Sequence, residues 1–316
     1  MSSIIHSAII GLAVADALGV PVEFEDRSKL AAEPVTGIRG YGTYNQPPGT
    51  WSDDSSLTFC LADSLCDGYD LADIARKFVA WRKAEIWTPH GDVFDIGMTT
   101  QRAIGILAEI LASGDLDSLQ ELHWEADEYT NGNGALMRIL PLYFSINELS
   151  LEDQFDRIWK VSALTHGHIR SALCCFYYLR FFHQIVNKKT KEEAYTLTNR
   201  EFSAFLKQKE ISYGEQPLFH RILSGNINTL PEEAIASDGY VLHSLEASLW
   251  CLLRNSDYPT TILAAINLGE DTDTTAAIVG GWAGALYGLS GIPTPWKEIL
   301  VKYGEIVALC DRLAAR

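Results

Sequence analysis

The stretch "GEDTDTTAAIVGG", residues 269–281, packs Glu270, Asp271 and Asp273 into four positions and then turns small and apolar. Like charges at that spacing repel, and a bound cation would relieve the repulsion. Clustered carboxylate and hydroxyl oxygens suit hard divalent ions. A calcium loop begunning at Asp271 is ruled out, since its sixth position is Ala276 where glycine is needed and its twelfth is Trp282 where glutamate is needed. The plainer reading is an acid-rich helix start, where the helix dipole and unpaired amides favour carboxylates by about 0.3–1 kcal/mol each.

A second cluster bears on the choice. Ser52, Asp53 and Asp54 follow the glycine-led approach Gly49-Thr50-Trp51 and again open an apolar helix. Two such helix starts brought together could supply the several oxygen ligands a divalent ion needs. The pair reads as two halves of a dinuclear site. A further alternative is the DxDxT nucleophile loop of haloacid-dehalogenase-like phosphotransferases, which this stretch matches in only a few letters (Asp271, Asp273 and Thr275) and which requires a β-strand in front of it.

The elements that must position these residues read almost throughout at helical period. Helices are expected over 3–17, 52–65, 70–84, 97–113, 135–146, 151–164, 168–186, 191–207, 240–254, 259–268, 273–288 and 295–314. Strand signals are scarce. The segments 35–51, 86–95, 127–134 and 208–239 read as loops, and long loops in a helical domain tend to carry function. The fold expected is a single all-α domain over 1–316, with no repeat and no interdomain linker.

The chain is long enough for a sizeable core, with 316 residues of which 47% are hydrophobic and 21% charged. It carries 25 Lys and Arg against 41 Asp and Glu, a formal charge of −16. Such a surface repels phosphate backbones, so general nucleic-acid binding is not expected. The six cysteines (Cys60, Cys66, Cys174, Cys175, Cys251, Cys310) form no CxxC pair and read as thiols in a reducing compartment. The apolar N-terminus lacks a basic leader and is interrupted by Asp16, so a core helix is expected rather than a signal peptide. No run is expected to span a bilayer. The expectation is a cytoplasmic monomer without membrane partners.

Six blocks in order resemble the ADP-ribosylglycohydrolase family: "GLAVADALGVPVEFE" (11–25), "GTWSDDSSLTFCLADSL" (49–65), "FDIGMTTQRAI" (94–104), "NGNGALMRILPL" (131–142), "SALTH" (162–166) and "GEDTDTTAAIVGGWAGALYG" (269–288). They span nearly the whole chain, while 187–239 carries no recognisable motif. The resemblance implies an all-helical fold with two central divalent cations, Mg2+ or Mn2+. Ser52, Asp53, Asp54 and Asp273 would hold one and Asp271, Asp273 and Thr274 the other, with Asp273 bridging.

The resemblance also implies that Glu23 gates or positions the substrate and that Asp95 faces the scissile bond. It makes Asn131, Gly132, Asn133, Gly134 and Ala135 a loop against ADP-ribose, and His166 a side chain lining that site. The reaction implied is hydrolysis of the N-glycosidic bond between ADP-ribose and a protein side chain, arginine first, with Asp95 exchanging a proton with the departing guanidine. Alternatives are another ADP-ribose conjugate (serine, nucleobase or small molecule) or a non-catalytic relative of the crystallin kind. Three positions depart from the family pattern: Ala15 before Asp16 where glycine is frequent, Ser52 where threonine is frequent, and Glu270 in place of a second glycine.

Overall fold

In the computed structural model, residues 2–125, 127–209, 211 and 214–316 are described. The organising pair is α1 (Ser2–Gly19), apolar all round, and α13 (Thr272–Tyr287), which runs against it. Their backbones nearly touch, because a Cβ at Gly11 would sit 2.7 Å from the Gly280 carbonyl and 2.9 Å from the Gly284 Cα. Any larger side chain would push apart α13, which carries Asp273, and α1, which leads into Glu23.

The chain continues through α2 (Arg27–Ala32), α3 (Asp53–Leu65), α4 (Leu71–Ala84), α5 (Met98–Ser113), α6 (Tyr143–Ile146), α7 (Leu151–Ala163) and α8 (Ile169–Val186). It closes with α9 (Lys191–Gln208), α10 (His220–Leu223), α11 (Val241–Arg254), α12 (Tyr258–Ile266), α14 (Thr294–Ile299) and α15 (Tyr303–Ala314) around that pair. The helices α11 and α12 pack on α13, α3 lies between α4 and α15, and α8 lies between α7 and α9. Capping fixes several starts: Asp70 accepts from the amides of Ala72 and Asp73, and Thr190 with Glu193 forms a capping box. One hydrophobic core runs through the whole.

Among the described residues no strand forms; only isolated bridges pair Tyr41 with Gln46 and Gly132 with Tyr240. The phosphotransferase alternative therefore falls, since α12, not a strand, precedes Asp271. Other expectations also need correction. The helix expected over 135–146 is instead a chain of turns at Asn133–Ala135 and Leu140–Leu142 before α6, because Pro141 has no amide to donate. The helix expected over 295–314 breaks into α14 and α15, with Lys302 at φ 55° between them. The 208–239 loop holds helical turns at Gln216–Phe219, Ile227–Thr229 and Glu232–Ala234 besides α10.

The six cysteines are free thiols, five of them buried. Contrary to the expectation from sequence, Ser2–Val22 is long and apolar enough to cross a membrane by length and composition. It is instead the central α1 and the turn that follows it, mostly buried inside the fold, with Asp16 turned to an internal partner.

Candidate active site

Both acidic helix starts reach one cleft of about 410 Å³. Its walls include Glu23, Asp53, Asp95, Asn133, His166, Asp271 and Thr274. Asp53 and Asp54 stand in the first turn of α3 behind Ser52, whose hydroxyl accepts from the Asp54 amide and donates to Asp54 Oδ2 at 3.1 Å. From α13, the Thr274 hydroxyl donates to the same Asp54 oxygen at 3.3 Å. That bond ties the two clusters together across 220 residues of chain.

The α3 start is held by Asp16, a buried acid of α1. It accepts from the amides of Ser52 and Ser55 at 3.0 Å each and from the Ser55 hydroxyl at 2.5 Å. Burial pushes the Asp16 carboxyl up to about 7 against these bonds. The α13 start is held by backbone clips: the Phe24 amide donates to the Glu270 carbonyl at 2.7 Å and the Glu270 amide to the Glu25 carbonyl at 2.9 Å. Arg27 anchors the same corner, donating to the carbonyls of Leu268, Glu232 and Ile235.

Glu23, Asp271 and Asp273 bring carboxylate oxygens within 4.8 Å of one another. Glu23 Oε2, Asp54 Oδ1, Asp271 Oδ1 and Asp273 Oδ2 are buried and have no hydrogen-bond partner. Burial, and then the neighbouring acids, push the carboxyl of Glu23 up to about 9 and those of Asp53 and Asp273 well above the usual carboxylate range. Burial raises Asp54 and Asp271 as well. Three grouped carboxyls with orphaned oxygens, and a fourth on Asp54 tied to Thr274, are all hard donors with no sulfur or imidazole among them and fit hard divalent cations. Among the described residues no Lys or Arg pairs with this cluster.

Asp95 also lines the cleft, just before α5 and close to Asp53, its carboxyl raised chiefly by burial. The Tyr44 hydroxyl faces both Asp95 and Glu23, and burial with those two acids keeps it protonated. Tyr44 went unnoticed in the sequence, since nothing in a Gly- and Pro-rich loop marks one tyrosine among several. The loop at 131–135 divides. Gly132, Asn133 and Gly134 line the cleft, and Asn133 Nδ2 donates to Asp271 Oδ2 at 2.7 Å. Asn131 is turned away, accepting from Ser171 and donating to the Glu128 carbonyl, and Ala135 is packed in the core. Both support the loop and neither forms its face. Gly134 has a specific reason: a Cβ there would lie 2.7 Å from His166 Cε1.

The chain belongs to the ADP-ribosylglycohydrolase family, whose model matches residues 2–316. It is 32% identical over 313 residues to the ADP-ribosylarginine hydrolase Tri1 of Serratia proteamaculans (strain 568), covering 97% of this chain and 77% of that protein. It is 27% identical to the ADP-ribosyl-[dinitrogen reductase] glycohydrolase of Rhodospirillum rubrum, covering 93% of this chain and 88% of that one. A solved structure described as an ADP-ribosylglycohydrolase-related protein complex superposes with a TM-score of 0.80 at 29% identity, covering 99% of this chain and 98% of that chain.

Proposed function

We propose that this hydrolase cleaves the N-glycosidic bond between ADP-ribose and an arginine side chain, reversing mono-ADP-ribosylation in the cytoplasm as a monomer. In this reading two divalent cations, Mg2+ or Mn2+, are held by Ser52, Asp53, Asp54 and Asp273 on one side and by Asp271, Asp273 and Thr274 on the other. The observation that carries it is the set of buried, partnerless carboxyl oxygens on Glu23, Asp54, Asp271 and Asp273, with Glu23 and Asp271 lining the cleft and Asp273 within reach of both. Bound there, such cations supply Lewis-acid charge to ribose hydroxyls.

The chain's own groups divide the remaining work. Gly132 and Gly134 let the backbone come close to the ligand, and Asn133 holds Asp271 in place. Glu23 stands at the cation side of the cleft and positions the ribose. Asp95 keeps its proton further up the pH scale than an exposed aspartate, which suits a group that hands a proton to a departing guanidine. Tyr44 steadies Asp95 and Glu23 relative to each other. Arginine is preferred because Glu23, Asp53 and Asp95 surround the cleft with acid, which favours a cationic leaving group, and because relatives such as Tri1 carry the name of ADP-ribosylarginine hydrolases.

The test is release of free ADP-ribose from ADP-ribosyl-arginine, ADP-ribosyl-serine and α-NAD+, with Mg2+ or Mn2+ and with EDTA. Release from the arginine conjugate, abolished by EDTA, is expected. Faster release from the serine conjugate would overturn the linkage. Tightly bound metal with no release from any conjugate would support a non-catalytic relative.

A further inference from the structure

Arg138 is fully buried, yet no carboxylate pairs with it among the described residues. Its guanidinium lies 4.5 Å from the centre of the Phe78 ring. Nη2 donates to the Val161 carbonyl at 3.2 Å and to the Thr165 hydroxyl at 2.7 Å, while Nε and Nη1 have no partner. A buried, unpaired charge is destabilising. Its retention beside the cleft calls for a use.

The use lies one bond further on. Thr165 Oγ1 is 2.9 Å from His166 Nδ1, and His166 lines the cleft. A hydroxyl has one proton and two lone pairs. Because Arg138 donates to Oγ1, the hydroxyl's own proton is free to point at Nδ1. Were Nδ1 protonated instead, Oγ1 would receive two donors and its buried proton would be left without an acceptor, a costly arrangement. Nδ1 is therefore the acceptor and the ring proton sits on Nε2. Nε2 has no partner among the described residues, and it lies 3.3 Å from where a Cβ at Gly132 would stand.

We infer that Arg138 is a positioning residue: acting through Thr165, it fixes His166 in the Nε2–H form, so that one N–H donor is presented to an acceptor oxygen of the ligand in the cleft. The ligand in this statement rests on the function proposed above; the relay itself does not. Burial, and secondarily the Arg138 charge, hold the His166 imidazolium down to about 3, so the ring is a neutral donor at working pH. Lysine at 138 would be a compact point charge without the planar guanidinium that stacks on Phe78.

Nitrogen-resolved NMR of histidine-labelled protein tests this directly, with the His166 signals assigned among the eight histidines by loss in His166→Gln. The wild type is expected to show a bare Nδ1 and a protonated Nε2 whose resonance moves on adding ADP-ribose. Thr165→Val, which keeps shape and removes the relay, is expected to release the tautomer and weaken ADP-ribose binding about tenfold, the worth of one hydrogen bond. Thr165→Ser restores both readouts, and Arg138→Met acts in the same direction as Thr165→Val. Protonated Nδ1 in the wild type, or an unchanged ring in Thr165→Val, overturns the relay. A wild-type ring in the Nε2–H form that ignores ADP-ribose supports the relay and overturns the functional reading.

Discussion

At the start of α3 the Ser52 hydroxyl accepts from the Asp54 amide, and a carboxylate from another helix takes two more amides: Ser52 and Ser55 donate to Asp16 of α1. At the start of α13 the helix uses an acid of its own, since the Thr274 amide donates to Asp273 Oδ1 at 2.9 Å, and the Asp271 amide donates to the Ser237 carbonyl at 3.0 Å. The two starts look alike in sequence but divide their oxygens differently. Asp16 takes over the amide-binding role at α3, so Asp53 is released to the cleft and Asp54 keeps an orphaned oxygen. Asp273 serves both purposes, one oxygen for its helix and one left bare. An acid at a helix start is thus a cap or a ligand according to what else reaches the amides.

That contrast is broken most sharply by Asp273→Asn and Asp16→Asn. The first is expected to lower glycohydrolase rate at least a hundredfold, roughly the loss of a principal electrostatic group. Its melting temperature in EDTA should hold or rise, because one member of a crowded set of buried acids is removed. Asp16→Asn should do the reverse, costing about 1–3 kcal/mol in an EDTA melt by leaving α3 amides poorly satisfied, with a smaller loss of rate. If Asp16→Asn melted like the wild type, its role as the borrowed cap would be lost.

A pH series sharpens the same contrast. Asp16 and Glu23 have carboxyls raised to about 7 and about 9, above the unfolded value near 4. An acid raised on folding contributes stability that is fully present below the unfolded pKa and is lost as pH rises through the folded one. The cation-free protein should therefore melt at falling temperature from about pH 4 to pH 9. Divalent cations bind the deprotonated acids, so the gap between melts with Mg2+ and with EDTA should widen over that range. A gap independent of pH would argue against cations at these carboxylates.

The smallest effect belongs to Glu270→Gly. Glu270 sits at φ 61°, where a side chain is strained and glycine is not. Because the two clips to Phe24 and Glu25 are backbone bonds, the substitution should keep them and raise stability by about 0.5–1 kcal/mol with rate changed less than about twofold. Loss of rate beyond that would mean the Glu270 carboxylate itself takes part.

Helices whose starts carry their own caps were legible in the sequence, as at Asp70, Ser150 and Asp257. So were the two acid clusters, because their residue types and spacing are local facts. What was not legible depends on distant partners. Arg27, in the charged run "EFEDRSK", reads like a solvated cation until its bonds to Leu268, Glu232 and Ile235 are seen. The short α2 that starts at Arg27 was missed for the same reason. Asn131 and Asn133 are indistinguishable by type, and only the fold turns one to Ser171 and the other to Asp271.

The close backbone contact of α1 with α13 also sets an order of events during synthesis. Gly11 leaves the ribosome some 270 residues ahead of Gly280, so α1 spends almost all of translation without the surface it is shaped to meet. A nascent chain holding Glu23, Asp53 and Asp54 has no Asp271 or Asp273 beside them, and its most apolar helix is uncovered. Late long-range closure of this kind is slow and leaves the intermediate prone to aggregation. Until α13 emerges, the cleft lacks Asp271 and Asp273 and the hydrolase has no complete site.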